Sequence, residues 1–151
     1  MQPYPGLLIA AARRRIKQAV LARIADRQLT VQQFWTIVAV DEHPGISQAE
    51  IASRVRSDAP TVSRALAALL ERGLVRADPD PDDRRRTCVV LTATGKRLAR
   101  QLAPVAREVR EAVVDGMTPA EIATLTAALQ RIVDNLDRLA ERTPAREART
   151  S

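Results

Sequence analysis

The sequence predicts a mainly α-helical fold carrying one small β-hairpin, and three observations lead there. Aromatic residues make up 2% of the 151 residues while hydrophobic residues make up 46%. A chain rich in alanine, leucine, arginine and valine buries its core by helix packing more readily than by sheet packing. Helix-start signatures recur, T-x-x-Q at Thr30, S-x-x-E at Ser47 and T-P-A-E at Thr118, each able to satisfy two orphan N–H donors of a first turn. Only LVRAD (74–78) and TCVVL (87–91) set short runs rich in β-formers on either side of turn residues.

The first predicted helix covers 7–25, where Leu8, Ala12, Ile16, Ala19, Val20 and Ile24 recur at helical spacing and Arg13, Arg14, Lys17 and Arg23 fall off the stripe. Thr30 and Gln33 open a second helix through QQFWTIVAV, and His43-Pro44-Gly45 breaks it. Ser47 and Glu50 open a short third helix through Arg54 with Ile51 and Val55 inward. Ser57 or Asp58 caps a fourth over 59–72, with Pro60 in its first turn and Gly73 closing it.

In that fourth helix Val62, Leu66 and Leu69 turn inward and Thr61, Ser63 and Arg64 outward, so the pair reads as a helix-turn-helix. The hairpin that follows makes it a winged helix. From Thr92 a fifth helix carries Leu98, Leu102, Val105, Val109 and Val113, with a kink expected at Pro104. Thr118-Pro119-Ala120-Glu121 opens a sixth, where Ile122, Leu125, Leu129, Ile132, Leu136 and Leu139 alternate in steps of three and four.

The organisation expected is therefore a winged helix-turn-helix region, 30–92, flanked by helices at 1–29 and 93–142, with 143–151 a flexible tail. The flanking helices are expected to pack together. Their apolar stripes are too long for three helices of one chain to cover, which makes a second copy the economical partner.

Composition also bounds function. The formal net charge of +6 suits a polyanionic partner. No apolar run approaches the ~18 residues of a membrane span, and the N-terminus lacks signal-peptide zoning, so the cytoplasm is expected and a membrane is not. One cysteine, Cys88, and one histidine, His43, cannot close a zinc site. No phosphate loop, nucleophile cluster or cofactor motif is present, so an enzyme is not expected and no metal or cofactor is assigned.

In order, LTVQQFWTIV, SQAEIA, TVSRALAALLERGLV and DPDDRRRTCVVLTATG resemble the multiple-antibiotic-resistance regulator (MarR) family over residues 6–141. The last segment is similar to the family's D-x-R wing signature ending in L-T-x-x-G, with Asp83, Arg85 and Gly95 at its matching positions. The chain departs from the pattern at Arg56-Ser57, where the family often carries glycine or an apolar residue. The resemblance implies a dimeric winged-helix repressor of transcription that binds double-stranded DNA and is released by a small aromatic or phenolic effector. In the family's hydroperoxide sensors the reactive cysteine lies near the N-terminus, so redox sensing by Cys88 is not implied.

The expected roles follow from chemistry. Arginine enters a narrow minor groove with less desolvation loss than lysine, which makes Arg85 the principal wing contact. Arg84 and Arg86, on the other face under strand alternation, would meet phosphate or water. Asp83 would orient the tip by pairing with Arg85 or a backbone amide. Arg64 would read guanine or sit as a surface charge, and Thr61 and Ser63 would contact phosphate or base edges, or cap the helix locally. Trp35 and His43 flank the second helix and could line an effector pocket, but core packing for Trp35 and a turn for His43 are the stronger readings, and no ligand-binding residue is assigned. The alternative function is a winged-helix module that binds a protein partner in place of duplex DNA.

Overall fold

The computed structural model describes residues 4–83 and 85–142. Among them lie helices α1 (Pro5–Arg23), α2 (Val31–Glu42), α3 (Gln48–Arg54), α4 (Ala59–Glu71), α5 (Ala93–Val114) and α6 (Pro119–Glu141), and strands β1 (Ile46–Ser47), β2 (Val75–Pro79) and β3 (Thr87–Leu91). The chain divides between Val113 and Val114 into two compact units.

In the first unit, each helix starts where its chemistry dictates. Pro5 opens α1 at a position where its missing N–H costs nothing. A 3₁₀ turn, Ala25–Arg27, links it to α2. At Thr30 both halves of the capping box form: Gln33 N–H donates to Thr30 Oγ1 at 3.1 Å, and Thr30 N–H to Gln33 Oε1 at 3.0 Å. Such a cap contributes about 1 kcal/mol. Asp58, rather than Ser57, caps α4, accepting from the Thr61 N–H at 2.8 Å.

The core gathers Phe34, Ile37 and Val40 of α2, Ile51 of α3, Val62, Leu66 and Leu69 of α4, and Leu102 and Val109 of α5, all buried. Each such side chain contributes roughly 1.5–3 kcal/mol on leaving water. Of the stripe on α1, only the C-terminal part meets this core: Val20 and the following Ile24 are buried, Ile16 and Ala19 are half-buried, and Leu8 and Ala12 are exposed.

The hairpin has the antiparallel register Val75↔Leu91 through Pro79↔Thr87. A third strand unannounced by the sequence, β1, pairs with the other edge of β3 through Ile46↔Val89 and Ser47↔Cys88, giving the order β1-β3-β2. Two residues between a helix break and a helix cap leave no alternation to read. The wing is thus tied by its backbone to the start of α3.

The root of the wing is also tied to α5. Thr92 Oγ1 donates to the Gly73 carbonyl at 2.6 Å and accepts from the Gly95 N–H at 3.0 Å, while Thr92 N–H donates to the Leu74 carbonyl at 3.1 Å. Gly95 lies so close to the residue preceding β2 that a Cβ would fall 1.9 Å from the Leu74 carbonyl oxygen. From there α5 continues through Pro104 as one helix.

In the second unit, Thr118 and Glu121 form a complete capping box with Pro119 in the first turn. None of the side chains of α6 is buried within the single chain, and Leu136 and Leu139 are 58% and 61% exposed.

Candidate nucleic-acid interface

The turn between α3 and α4 is sharp because Arg56 sits in the left-handed region at φ 50°, with Ser57 N–H donating to the Ala52 carbonyl at 3.0 Å. A non-glycine residue there carries about 1–2 kcal/mol of steric cost. The turn delivers α4 with its N-terminal half uncovered. Ser63 and Arg64 are exposed and Thr61 is half-buried.

A short relay runs along that half: Arg64 Nη2 donates to Thr61 Oγ1 at 3.2 Å, and Thr61 Oγ1 donates to Asp58 Oδ2 at 2.8 Å. The Thr61 hydroxyl is thereby engaged in local capping while still accepting from Arg64. The Thr61 backbone N–H, foremost, holds the Asp58 carboxyl below its usual range. Arg64 is thus leaned toward the start of its own helix, which in helix-turn-helix proteins is the end that enters a groove.

The wing tip is not a strand. Pairing stops at Pro79 and resumes at Thr87, so the face alternation expected of a strand does not extend to Arg85 and Arg86. Arg84 lies outside the described residues. Asp80 Oδ1 accepts from the backbone N–H groups of Asp82 at 2.9 Å and Asp83 at 3.4 Å. Two backbone bonds close the loop, Asp80 N–H to the Arg86 carbonyl at 2.8 Å and Arg86 N–H to the Asp83 carbonyl at 2.9 Å. Asp83 Oδ1 accepts from the Arg85 N–H at 3.0 Å, an Asx turn. The aspartates thus satisfy donors of a tight loop, and Asp80 is held below the usual carboxylate range chiefly by the Asp82 N–H.

Arg85 and Arg86 part company here. Arg85 is exposed, and among the described residues its guanidinium has no hydrogen bond or ion pair. Arg86 has partners within the protein: its Nη2 pairs with Glu50 Oε2, and its Nε lies 3.6 Å from Asp80 Oδ2. The residues expected on α4 and those on the wing share no hydrogen bond or ion pair among the described residues.

The sequence reading missed a cleft of about 690 Å³ between α2, α3 and the far part of α5, lined by Trp35, His43, Arg54, Arg56 and Arg110 with Glu42 and Glu50. Arg110 lies 5.5 Å from the Trp35 ring centroid and pairs with Glu42 at 2.5 and 3.2 Å. Trp35 packs edge-on to Phe34 with ring centroids 4.8 Å apart. Its three arginines, indole and imidazole face two carboxylates, and one of the arginines, Arg110, is already paired with Glu42. The sequence signal was Trp35 on α2 and His43 just past its end; the arginines come from elements that only folding joins.

Cys88 is half-buried on β3, its thiol pushed up by burial and by its hydrogen bond to Asp80. Among the described residues no group of three or more His, Cys, Asp and Glu side chains could hold a metal, and no helix is long and apolar enough to cross a membrane.

Comparison with known proteins agrees with this architecture. Residues 27–86 match the profile described as "MarR family". The HTH-type transcriptional repressor NicR of Pseudomonas putida is 32% identical over 130 residues, spanning 86% of this chain and 82% of that one. BpsR of Bordetella bronchiseptica, solved in work on regulation of its DNA binding by 6-hydroxynicotinic acid, is 28% identical with a TM-score of 0.70, covering 88% of this chain and 99% of that one. The fold is also that of MepR from S. aureus in its DNA complex, with a TM-score of 0.74 and 24% identity over 85% of this chain and 94% of that one. A helix-turn-helix followed by a hairpin wing, long helices on either side of it in the chain and a relative at this level of identity lead to one conclusion: the chain belongs to the MarR family of transcriptional regulators.

Proposed function

We propose that this MarR-family regulator is a homodimeric repressor that binds a pseudo-palindromic promoter site and is released by a small aromatic or phenolic acid. In this reading residues 30–92 bind the duplex, and 1–29 together with 93–142 pair two copies, covering the apolar stripe of α6. Arg64, with Thr61 and Ser63, enters a major groove. Arg85 enters the adjoining minor groove, Arg84 is a second wing contact, and Asp83 orients the tip. The protein acts in the cytoplasm, where the promoter lies, and no catalytic step is involved.

The observation that carries the reading is the exposed Arg85 guanidinium, unpartnered among the described residues, on a loop whose backbone Asp83 braces. A cation held out without an internal partner is placed to meet an external anion. The effector part rests on the cleft and on BpsR, whose DNA binding is regulated by 6-hydroxynicotinic acid.

The test is a footprint of the promoter upstream of the protein's own gene. Protection of two half-sites about 10 base pairs apart is expected, with 6-hydroxynicotinate the first acid to try for release. Absence of binding to every upstream fragment would favour a winged-helix module that engages a protein.

A further inference from the structure

Arg86 stands one residue before β3, just beyond the end of the β1–β3 ladder at Ser47↔Cys88. Its guanidinium lies between two carboxylates, Glu50 on α3 and Asp80 on the opposite leg of the wing loop. A planar guanidinium can address two carboxylates at once through different N–H groups.

Glu50 is itself fixed. Its carboxylate accepts from the Ser47 N–H at 2.9 Å and the Ser47 hydroxyl at 2.7 Å, and the next residue, Ile51, is fully buried in the core. The Ser47 bonds and Arg86 together draw the Glu50 carboxyl down to about 2, so it is charged at every neutral pH.

We propose that Glu50 and Arg86 form a latch that sets the pose of the wing on the helix-turn-helix, so that Arg86 serves DNA binding as a positioning residue and not as a phosphate contact. The proposal rests on the DNA-binding role above. The wing loop closes through its own backbone whether or not Arg86 has a partner. What the latch adds is a side-chain strut from the loop to α3, beyond the two-residue β1 ladder, and the tip that carries Arg85 inherits its direction from that strut. The cleft enters here as well, because Glu50 is one of its wall residues.

Salt-dependent binding to the footprinted fragment discriminates the roles. Glu50→Gln keeps an oxygen for the Ser47 N–H while abolishing the ion pair. Removing a negative charge would by long-range attraction alone tighten binding to a polyanion; the latch requires E50Q to weaken it, by roughly five-fold. R86Q should weaken binding to a similar degree with an unchanged slope of log affinity against log salt, and the double variant should be no worse than the weaker single one. Tighter or unchanged binding by E50Q, additive losses, or a slope reduced by about 0.9 in R86Q, the mark of a lost phosphate contact, would each overturn the latch.

A second readout needs no DNA. Cys88, the chain's one cysteine, follows Arg86 by two residues and bonds Asp80, so its alkylation by iodoacetamide reports the wing root. Both variants should be alkylated several-fold faster than the parent at a pH and temperature where all three proteins are folded, and rates equal to the parent's would reject the latch. Were the parent to bind no fragment, the DNA-binding reading would fail while the alkylation rates still decided the latch.

Discussion

Asp83 and Arg85 are joined by a bond from the Arg85 backbone N–H to Asp83 Oδ1, 3.0 Å long. The aspartate therefore acts on its neighbour's backbone, leaving the guanidinium clear. Asp83→Ala is expected to weaken operator binding by roughly ten-fold, with the salt slope unchanged, because a positioning bond is lost and no phosphate contact is. Asp83→Asn, which keeps the accepting oxygen, should stay near the parent. Fluorescence anisotropy across a salt series checks both, and equal losses in the two variants would show that charge, rather than the bond, matters.

Arg85→Ala should behave differently from both aspartate variants. Losing one phosphate-neutralising cation lowers the slope of log affinity against log salt by about 0.9. The same anisotropy series measures it, and an unaltered slope would remove Arg85 from the phosphate-contacting set.

Gly95→Ala tests the junction of α5 with the wing root. The new methyl group would lie 1.9 Å from the Leu74 carbonyl oxygen, against backbone that cannot swing aside. A loss of about 2 kcal/mol is expected from such overpacking, read as a lower urea midpoint at unchanged m-value. A midpoint equal to the parent's would mean that the helix start yields freely.

At Arg56 the expected change has the opposite sign. Its φ of 50° is strained for any side chain, and Arg56→Gly should raise stability by about 0.5 kcal/mol once the greater freedom of unfolded glycine is subtracted. A lowered denaturation midpoint would show that the arginine side chain contributes more to the fold than its backbone strain costs.

Acid stability should report Glu50. Its folded carboxyl is drawn from 4.5 to about 2, first by the Ser47 N–H, then by the Ser47 hydroxyl and Arg86. A depressed acid stabilises the fold fully above its unfolded value, and that contribution disappears as pH falls through the folded one. Relative to E50Q, the parent should therefore lose stability between pH 4.5 and about 2 and stay level at neutral pH. Thermal melts over that range check it, and parallel curves for the two proteins would contradict the assignment.

Helices and their starts were legible because their signals are local. The boxes at Thr30, Ser47 and Thr118 each lie within four residues, and all three form. Strand β1 was not legible, since two residues become a strand only when β3 arrives beside them. On α1, Leu8 and Ala12 share the helical period of Val20 but meet no core within the unit, because period alone does not say what covers a stripe. At the wing, identity could be read but allegiance could not: nothing in the run Arg84-Arg85-Arg86 says that the last faces Glu50, 36 residues away in the chain.

The clasp of Thr92 and Gly95 around Leu74 makes α5 the long arm of a crank whose short arm is the hairpin root. Its 22 residues span about 33 Å, so a displacement of about 3 Å at the far end turns the near end by about 5° when the helix stays straight. Whatever grips the distal tip of that rod therefore has mechanical advantage over the hairpin, and small adjustments there can be felt where the arginines point.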